Sequence, residues 1–235
     1  ARRGRGWLRT GEGFAALFSL LAAMAPFHSG GNGAVRVRWP LTGLARVTVR
    51  PGTLPLLFVV LGATVFDGLT RTAFWADLTL ERVGWGYTTV NTLGLLWAVG
   101  IVALVYLSVS RIVSSLVGGD ADAVARRFAP VLVPIVAAYT VAHYVGAFVL
   151  DGQGFWFLAS DPYGEGWDLF GTADGTIDFS LVSATALAWV QAVAIALGGV
   201  GAVLVAHDRA ISDFDPRSAL TAQYVLLAFT LTATT

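Results

Sequence analysis

The chain has 235 residues, 56% of them hydrophobic and only 13% charged, with 15 cationic residues (all arginine) balancing 15 acidic ones and no cysteine. A soluble domain carries about 25% charged residues, so this composition excludes an ordinary water-soluble fold. Zero net charge removes any global pull toward nucleic acid, and the lack of cysteine removes disulfides, thiolate metal sites and cysteine nucleophiles.

Residues 1–53 read as a basic segment at the cytoplasmic side or interface, with Arg2, Arg3, Arg5, Arg9, Arg36, Arg38, Arg46 and Arg50. Inside it, residues 14–27 form a short apolar helix, well below the roughly 20 residues needed to cross a bilayer. Ala34-Val35-Arg36-Val37-Arg38-Trp39 alternates apolar with basic, which suits a short strand, and its Arg-plus-Trp content suits the headgroup level. Pro51 and Pro55 stand near the start of the next helix, where proline is tolerated.

Residues 54–235 read as a transmembrane helical bundle with four to five spans, near 53–70, 88–110, 129–150, 180–207 and 221–235. The first of these carries Asp67 to the membrane edge and continues toward Trp75. Helices are expected because they satisfy their own backbone polar groups in lipid. A β-barrel would instead show segments of about ten residues with alternating polarity. The fold class is therefore an all-α integral membrane protein, a polytopic helical bundle.

The connections alternate in charge. Residues 1–53, 111–127 and 208–217 hold thirteen of the arginines, whereas 67–87 and 151–179 hold only Arg71 and Arg82. Those two connections hold nine acids, including Asp67, Asp77, Asp151, Asp161, Glu165, Asp168 and Asp178. This is the pattern of the positive-inside rule when each apolar run crosses once. It predicts a multi-pass protein of the plasma membrane with basic loops in the cytoplasm and 151–179 as an acidic outer loop. Trp85, Tyr87, Trp156, Tyr163 and Trp167 cluster on the acidic side as an interfacial aromatic belt would. The glycine-rich 151–179 connection is long enough to fold over a bundle mouth. The opening Ala1-Arg2-Arg3 without Met, and a stop inside an apolar run, lead to the expectation of a piece of a longer multi-pass protein.

His143 is the most informative single residue. Ionisable groups within a span are costly and commonly face an interior or cavity. Tyr139 lies four residues earlier on the same face, and Gln191, next to Trp189, is the polar counterpart in the following span. A His–Gln–Tyr cluster can bind a ligand, a metal or a quinone headgroup; it can equally be interhelical hydrogen-bond glue. His143 with the outer carboxylates Asp67, Asp151 or Asp161 is a possible but unspecific metal set. His28 reads as solvated, and His207-Asp208-Arg209 as a cap at a helix C-terminus; the topology separates these two histidines from His143, which speaks against a three-histidine zinc site.

The densest motif is Ser160-Asp161-Pro162-Tyr163-Gly164-Glu165-Gly166-Trp167-Asp168-Leu169-Phe170-Gly171-Thr172-Ala173-Asp174. Its Asp-Pro and Gly dipeptides fix turns. Its acids, Asp161 and Asp168 among them, offer oxygen ligands for a hard cation, although the spacing is not that of an EF-hand; the plainer reading is a solvated acidic loop pinned by Trp and Phe. The chain has no Walker sequence, no Gly-x-Ser-x-Gly elbow, no paired histidines for haem and no voltage-sensor arginine run.

This motif, together with Trp7 to Phe14, Phe66-Asp67-Gly68, Asn91 to Leu95, Ala142-His143-Tyr144, Gly152-Gln153 and Ala206 to Ala210, resembles the C-terminal half of a family of multi-pass bacterial and archaeal membrane proteins that carry the label fenitrothion hydrolase. The resemblance covers nearly the whole chain. It implies a larger, all-helical membrane protein and, by the label, phosphotriester hydrolysis. Two functions stay open: a non-enzymatic transport-type or complex-forming membrane subunit with a polar site at His143, Tyr139 and Gln191, or a membrane-embedded, metal-dependent enzyme using His143 and the outer carboxylates. Expected partners are the bilayer, a preceding part of the same polypeptide and other membrane subunits, with no nucleic acid; the sequence does not identify a cofactor.

Overall fold

Glu12 opens the first helix, α1 (Gly13–Met24), its carboxylate accepting from the Phe14 and Ala15 amides. Such a cap satisfies donors that have no partner inside the helix. The computed structural model describes residues 12–30, 33–216, 219–220, 222–226 and 228. Arg2, Arg3, Arg5, Arg9, Arg217, the 7–11 stretch of the resemblance and most of the expected 221–235 span lie outside the described residues.

The apolar run 14–27 is not one helix. Pro26 cannot continue it, and Phe27 belongs to strand β1 (Phe27–Ser29), which pairs antiparallel with β2 (Val35–Val37), the strand expected from the alternation. Phe27 faces Val37 across the ladder and His28 faces Arg36. After a 3-10 turn at Leu44–Arg46, α2 (Thr53–Thr70) begins behind Gly52, which holds φ +92. Pro55 falls in its first turn, where amide groups lack intrahelical partners.

Helix α2 carries Asp67 to its last turn and stops at Thr70, short of Trp75. Trp75 belongs to a separate element, α3 (Ala73–Thr79), whose start is capped by Thr72. Helix α4 (Trp85–Val117) is longer than the expected 88–110, because its last two turns, through Arg111 and Ser114, continue helically until Gly118 at φ +79. The 111–127 connection is therefore mostly helical. Only Gly118 to Asp120 separates α4 from α5 (Ala121–Phe128), which Asp120 caps and whose last turn places Arg126 and Arg127 at the helix C-terminus, where cations are favourable.

A 3-10 turn, Ala129–Val131, containing Pro130, leads into α6 (Leu132–Leu150). The 151–179 connection starts with another 3-10 turn, Asp151–Gln153, and then α7 (Gly154–Ser160). Helix α8 runs over Ala184–Asp213. Among the described residues the two three-residue strands are the only sheet. Among the described residues, four stretches are long and apolar enough to cross a membrane: Thr53–Thr70, Trp85–Val117, Ala121–Ser160 and Ala184–Ser212.

The chain divides into two compact units: residues 1–137 with 198–235, and residues 138–197. The core of the first is built on Leu44, Leu57, Phe58, Tyr106, Val113, Phe128, Val131, Val133 and Val205, all buried. Gly62 lets α2 lie directly on α4, since a Cβ there would meet the Val99 backbone; small residues at such crossings are the usual means of close helix approach in membranes. Buried polar groups in this core find partners: the Tyr106 hydroxyl donates to the Ala125 carbonyl (2.9 Å), and Ser110 donates to the Tyr106 carbonyl (2.9 Å).

Candidate functional site

The polar residues inside the long helices meet through the backbone. The Gln191 side-chain amide on α8 donates to the Ala142 carbonyl on α6 (2.9 Å). That carbonyl belongs to the residue before His143, so the bond joins Gln191 to the turn that carries His143. A helical carbonyl retains a second lone pair for such a donor. His143 is half-buried and stands edge-on to Tyr144, with ring centroids 4.5 Å apart. Tyr139 is half-buried one turn earlier. Trp189 points outward and, with Val190, Val193, Ala194 and Leu197, lines a shallow, open and wholly apolar hollow on α8. This bond ties α8 to α6 at the level of His143.

The acidic loop is built by its own acids. Asp161 accepts from the Glu165 amide through Oδ1 (3.0 Å) and from the Gly166 amide through Oδ2 (2.8 Å). Asp168 Oδ1 accepts from the Ser160 hydroxyl (2.8 Å) and the Ala173 amide (3.0 Å). Ser160 is completely buried, and its Oγ accepts in turn from the Phe170 and Thr172 amides (3.1 and 3.4 Å). The Gln153 side chain clasps the Asp178 backbone on both sides, donating 3.2 Å to its carbonyl and accepting 3.0 Å from its amide. Gly175 lies against the Phe157 ring, where a Cβ has no room.

The Ala173 amide, then the Ser160 hydroxyl, hold the Asp168 carboxyl below the usual carboxylate range. The Ser180 hydroxyl and amide do the same for Asp178. Both groups are exposed anions whose charge is directed at backbone donors. The loop's carboxylates thus act as turn-forming acceptors. Ser160, at the end of an apolar helix and followed by Asp-Pro, is the buried hub of this loop's hydrogen bonds.

Among the described residues no three His, Asp or Glu side chains group closely enough to hold a metal ion. The metal candidates His143, Asp67 and Asp151 are thus not gathered into one site with a further ligand of that kind. Asp67 sits in the last turn of α2, and Asp151 opens the 3-10 turn after α6.

Two arginines have roles the sequence did not reveal. Arg38 reaches back to the C-terminus of α1, donating from Nε to the Ala25 carbonyl and from Nη2 to the Ala22 and Ala23 carbonyls, each at 3.0 Å. Gly43 makes room for it, since a Cβ there would strike the Ala23 carbonyl and the guanidinium. Arg209, expected to cap its own helix, instead donates to the Leu44 and Val47 carbonyls, both at 2.7 Å. It fastens the 3-10 turn of the N-terminal segment to α8. No family model, curated protein or solved structure matches the chain.

Proposed function

We propose that this chain is a multi-pass protein of the plasma membrane that works as a transport-type or complex-forming subunit, with its basic connections in the cytoplasm. The observation that carries the reading is the Gln191–Ala142 bond beside His143, on two helices whose outer surfaces are apolar. Only 17% of the most apolar window of α4 is buried within the chain, and 22% of that of α8. Leu93, Leu96, Trp97, Leu104, Val193 and Leu197 all point away from it. In water this surface would be a severe liability, because soluble monomers rarely expose contiguous apolar patches beyond a few hundred Å². Against lipid or apposed helices it is the expected surface.

The charged connections then act as topology signals, and the polar groups of α6 and α8 as helix-pairing groups beside one ionisable residue. This agrees with the multi-pass architecture implied by the resemblance above. The metal-dependent hydrolase reading has no observation of its own in support, since Asp161 and Asp168 serve the loop backbone.

Two experiments test the reading. Because the chain lacks cysteine, single substitutions Arg126→Cys and Glu165→Cys give clean probes for a membrane-impermeant maleimide on intact cells. Glu165→Cys should label from outside and Arg126→Cys only after permeabilisation; labelling of both from the same side overturns the topology. His143→Ala and Gln191→Ala should weaken uptake or co-purification with membrane partners. Unchanged transport and assembly in both variants would remove the subunit reading.

A further inference from the structure

Among the described residues, the hairpin β1–β2 has an exposed apolar face. Phe27 and Val37 pair across the ladder, Ser29 pairs with Val35, and the strand alternation continues from Val35 and Val37 to Trp39. Phe27, Val35, Val37 and Trp39 are 65%, 74%, 75% and 83% exposed. The other face carries the His28–Arg36 pair. Arg46 and Arg50 follow, both exposed. Between Glu12 and Asp67 the sequence contains no acid. This part of the chain is therefore a small apolar wedge flanked by arginines, in a stretch of sequence without acids.

Its depth is set by three attachments within one compact unit. Arg38 ties β2 to the end of α1. Arg209 ties Leu44 and Val47 to α8 just where its apolar run gives way to His207-Asp208. Arg50 precedes the first residue of α2, Thr53, by three positions, and the Arg50 carbonyl accepts from the Thr53 amide. If α2 and α8 span the bilayer, the hairpin lies at the level where both leave it on the arginine-rich side.

We infer that the β1–β2 hairpin is an interfacial anchor that inserts Phe27, Val37 and Trp39 among lipid acyl chains and engages the anionic headgroups of that leaflet through Arg36 and Arg46. Charge complementarity selects the occupant: basic residues at an anionic leaflet are favourable, Trp belongs at the headgroup level, and arginine is suited to bidentate phosphate recognition. A protein partner would have to bring an acidic rim around an apolar groove, and no acid of this segment helps to define one.

The inference rests on the membrane reading, and the experiment separates the two. The full-length protein is placed in nanodiscs, either zwitterionic or containing anionic phosphatidylglycerol, with an environment-sensitive fluorophore on Val37→Cys or on Leu96→Cys, an outward-facing site of α4. Lipids carrying quenchers at defined depths report insertion. Leu96 should be quenched deeply in both compositions; if it is not, the membrane reading itself fails. Val37 should be quenched at shallow depth, more strongly in anionic discs. Arg36→Gln and Arg46→Gln should each lower the ratio of inserted to free hairpin about fivefold there. A Val37 probe that stays in water while Leu96 is quenched overturns the anchor. So does quenching indifferent to lipid charge and to both arginine variants, and so does protection of Val37 that needs an added protein.

Discussion

Adding a single methyl group at Gly94 tests the packing that holds the α2–α3–α4 corner. The Trp75 indole lies across Gly94, and a Cβ built there would fall 2.2 Å from Trp75 Cη2 and 2.6 Å from Phe66 Cε2. Trp75 is buried, donates through Nε1 to Asn91 Oδ1 (3.1 Å), and meets Phe66 edge-on at 5.2 Å. Gly94→Ala has one favourable effect, the helix preference of alanine, about 1 kcal/mol. Against it stand overpacking, about 1–3 kcal/mol, loss of the aromatic pair, about 0.5–1.5 kcal/mol, and loss of the indole hydrogen bond, about 0.5–1.5 kcal/mol. Steric displacement wins, and the net cost should be about 1–5 kcal/mol. The decisive measurement is a double-mutant cycle by denaturant titration in detergent micelles. In a Trp75→Ala background the closest clash is gone and the Phe66 ring, no longer held edge-on by the indole, is the one neighbour left to yield, so Gly94→Ala should cost markedly less than in the parent. Equal costs in both backgrounds would mean that Trp75 does not occupy the space over Gly94.

Arg209→Ala should detach the N-terminal segment at a cost of about 1.5–3 kcal/mol, the range for a hydrogen bond to a charged donor, because one nitrogen, Nη2, holds both the Leu44 and Val47 carbonyls; limited proteolysis within residues 38–50 should accelerate. Gln191→Leu should cost only about 0.6–1.7 kcal/mol, read as a small drop in the thermal midpoint, because the Ala142 carbonyl keeps its intrahelical partner. The depressed pKa of Asp168 makes its contribution to loop order fully present above the unfolded value, about 3.9, and lost as pH falls through the lower folded value. Protection of the Ala173 amide, corrected for intrinsic exchange, should be level from pH 7 to 5 and decline only at pH below the unfolded carboxylate value, about 3.9, and Asp168→Asn should remove that dependence.

The long helices could be read from the sequence because an apolar run of span length has few alternatives. Their ends could not. Helix α4 runs on through Arg111 because its final turns bury Val113 and Ser114 while leaving Arg111 and Ile112 exposed, an amphipathic pattern that looks like a polar connection when only charge is scanned. The β-hairpin was half visible: β2 alternates, but β1 was hidden inside an apolar run whose helical part ends before Pro26. For the candidate site, the sequence named Gln191, His143, Asp161 and Asp168 without deciding between ligand and scaffold, since a carboxylate that binds a cation and one that accepts amide hydrogens have the same one-letter code. In the loop the two carboxylates accept from the buried Ser160 and the amides of residues 165, 166 and 173, contacts that no one-letter code announces. Arg38 and Arg209 were out of reach because their partners are distant in sequence or belong to backbone carbonyls, which leave no trace in composition.

Those two arginines also sharpen the topology argument. Positive-inside statistics treat every arginine as a free surface charge, yet Arg38 and Arg209 are engaged by helix-end carbonyls. Setting both aside leaves eleven arginines in the basic connections against two in the acidic ones, so the asymmetry does not depend on them. The two groups should therefore separate on mutation. Arg209→Ala should loosen the N-terminal segment and leave the sidedness of a Glu165→Cys probe unchanged. Neutralising the exposed Arg111 and Arg126 should perturb sidedness and leave the proteolysis of residues 38–50 as it was. If one set of substitutions moved both readouts together, arginine capping and membrane orientation would be one property of this chain, and the division between structural and topogenic arginines would be wrong.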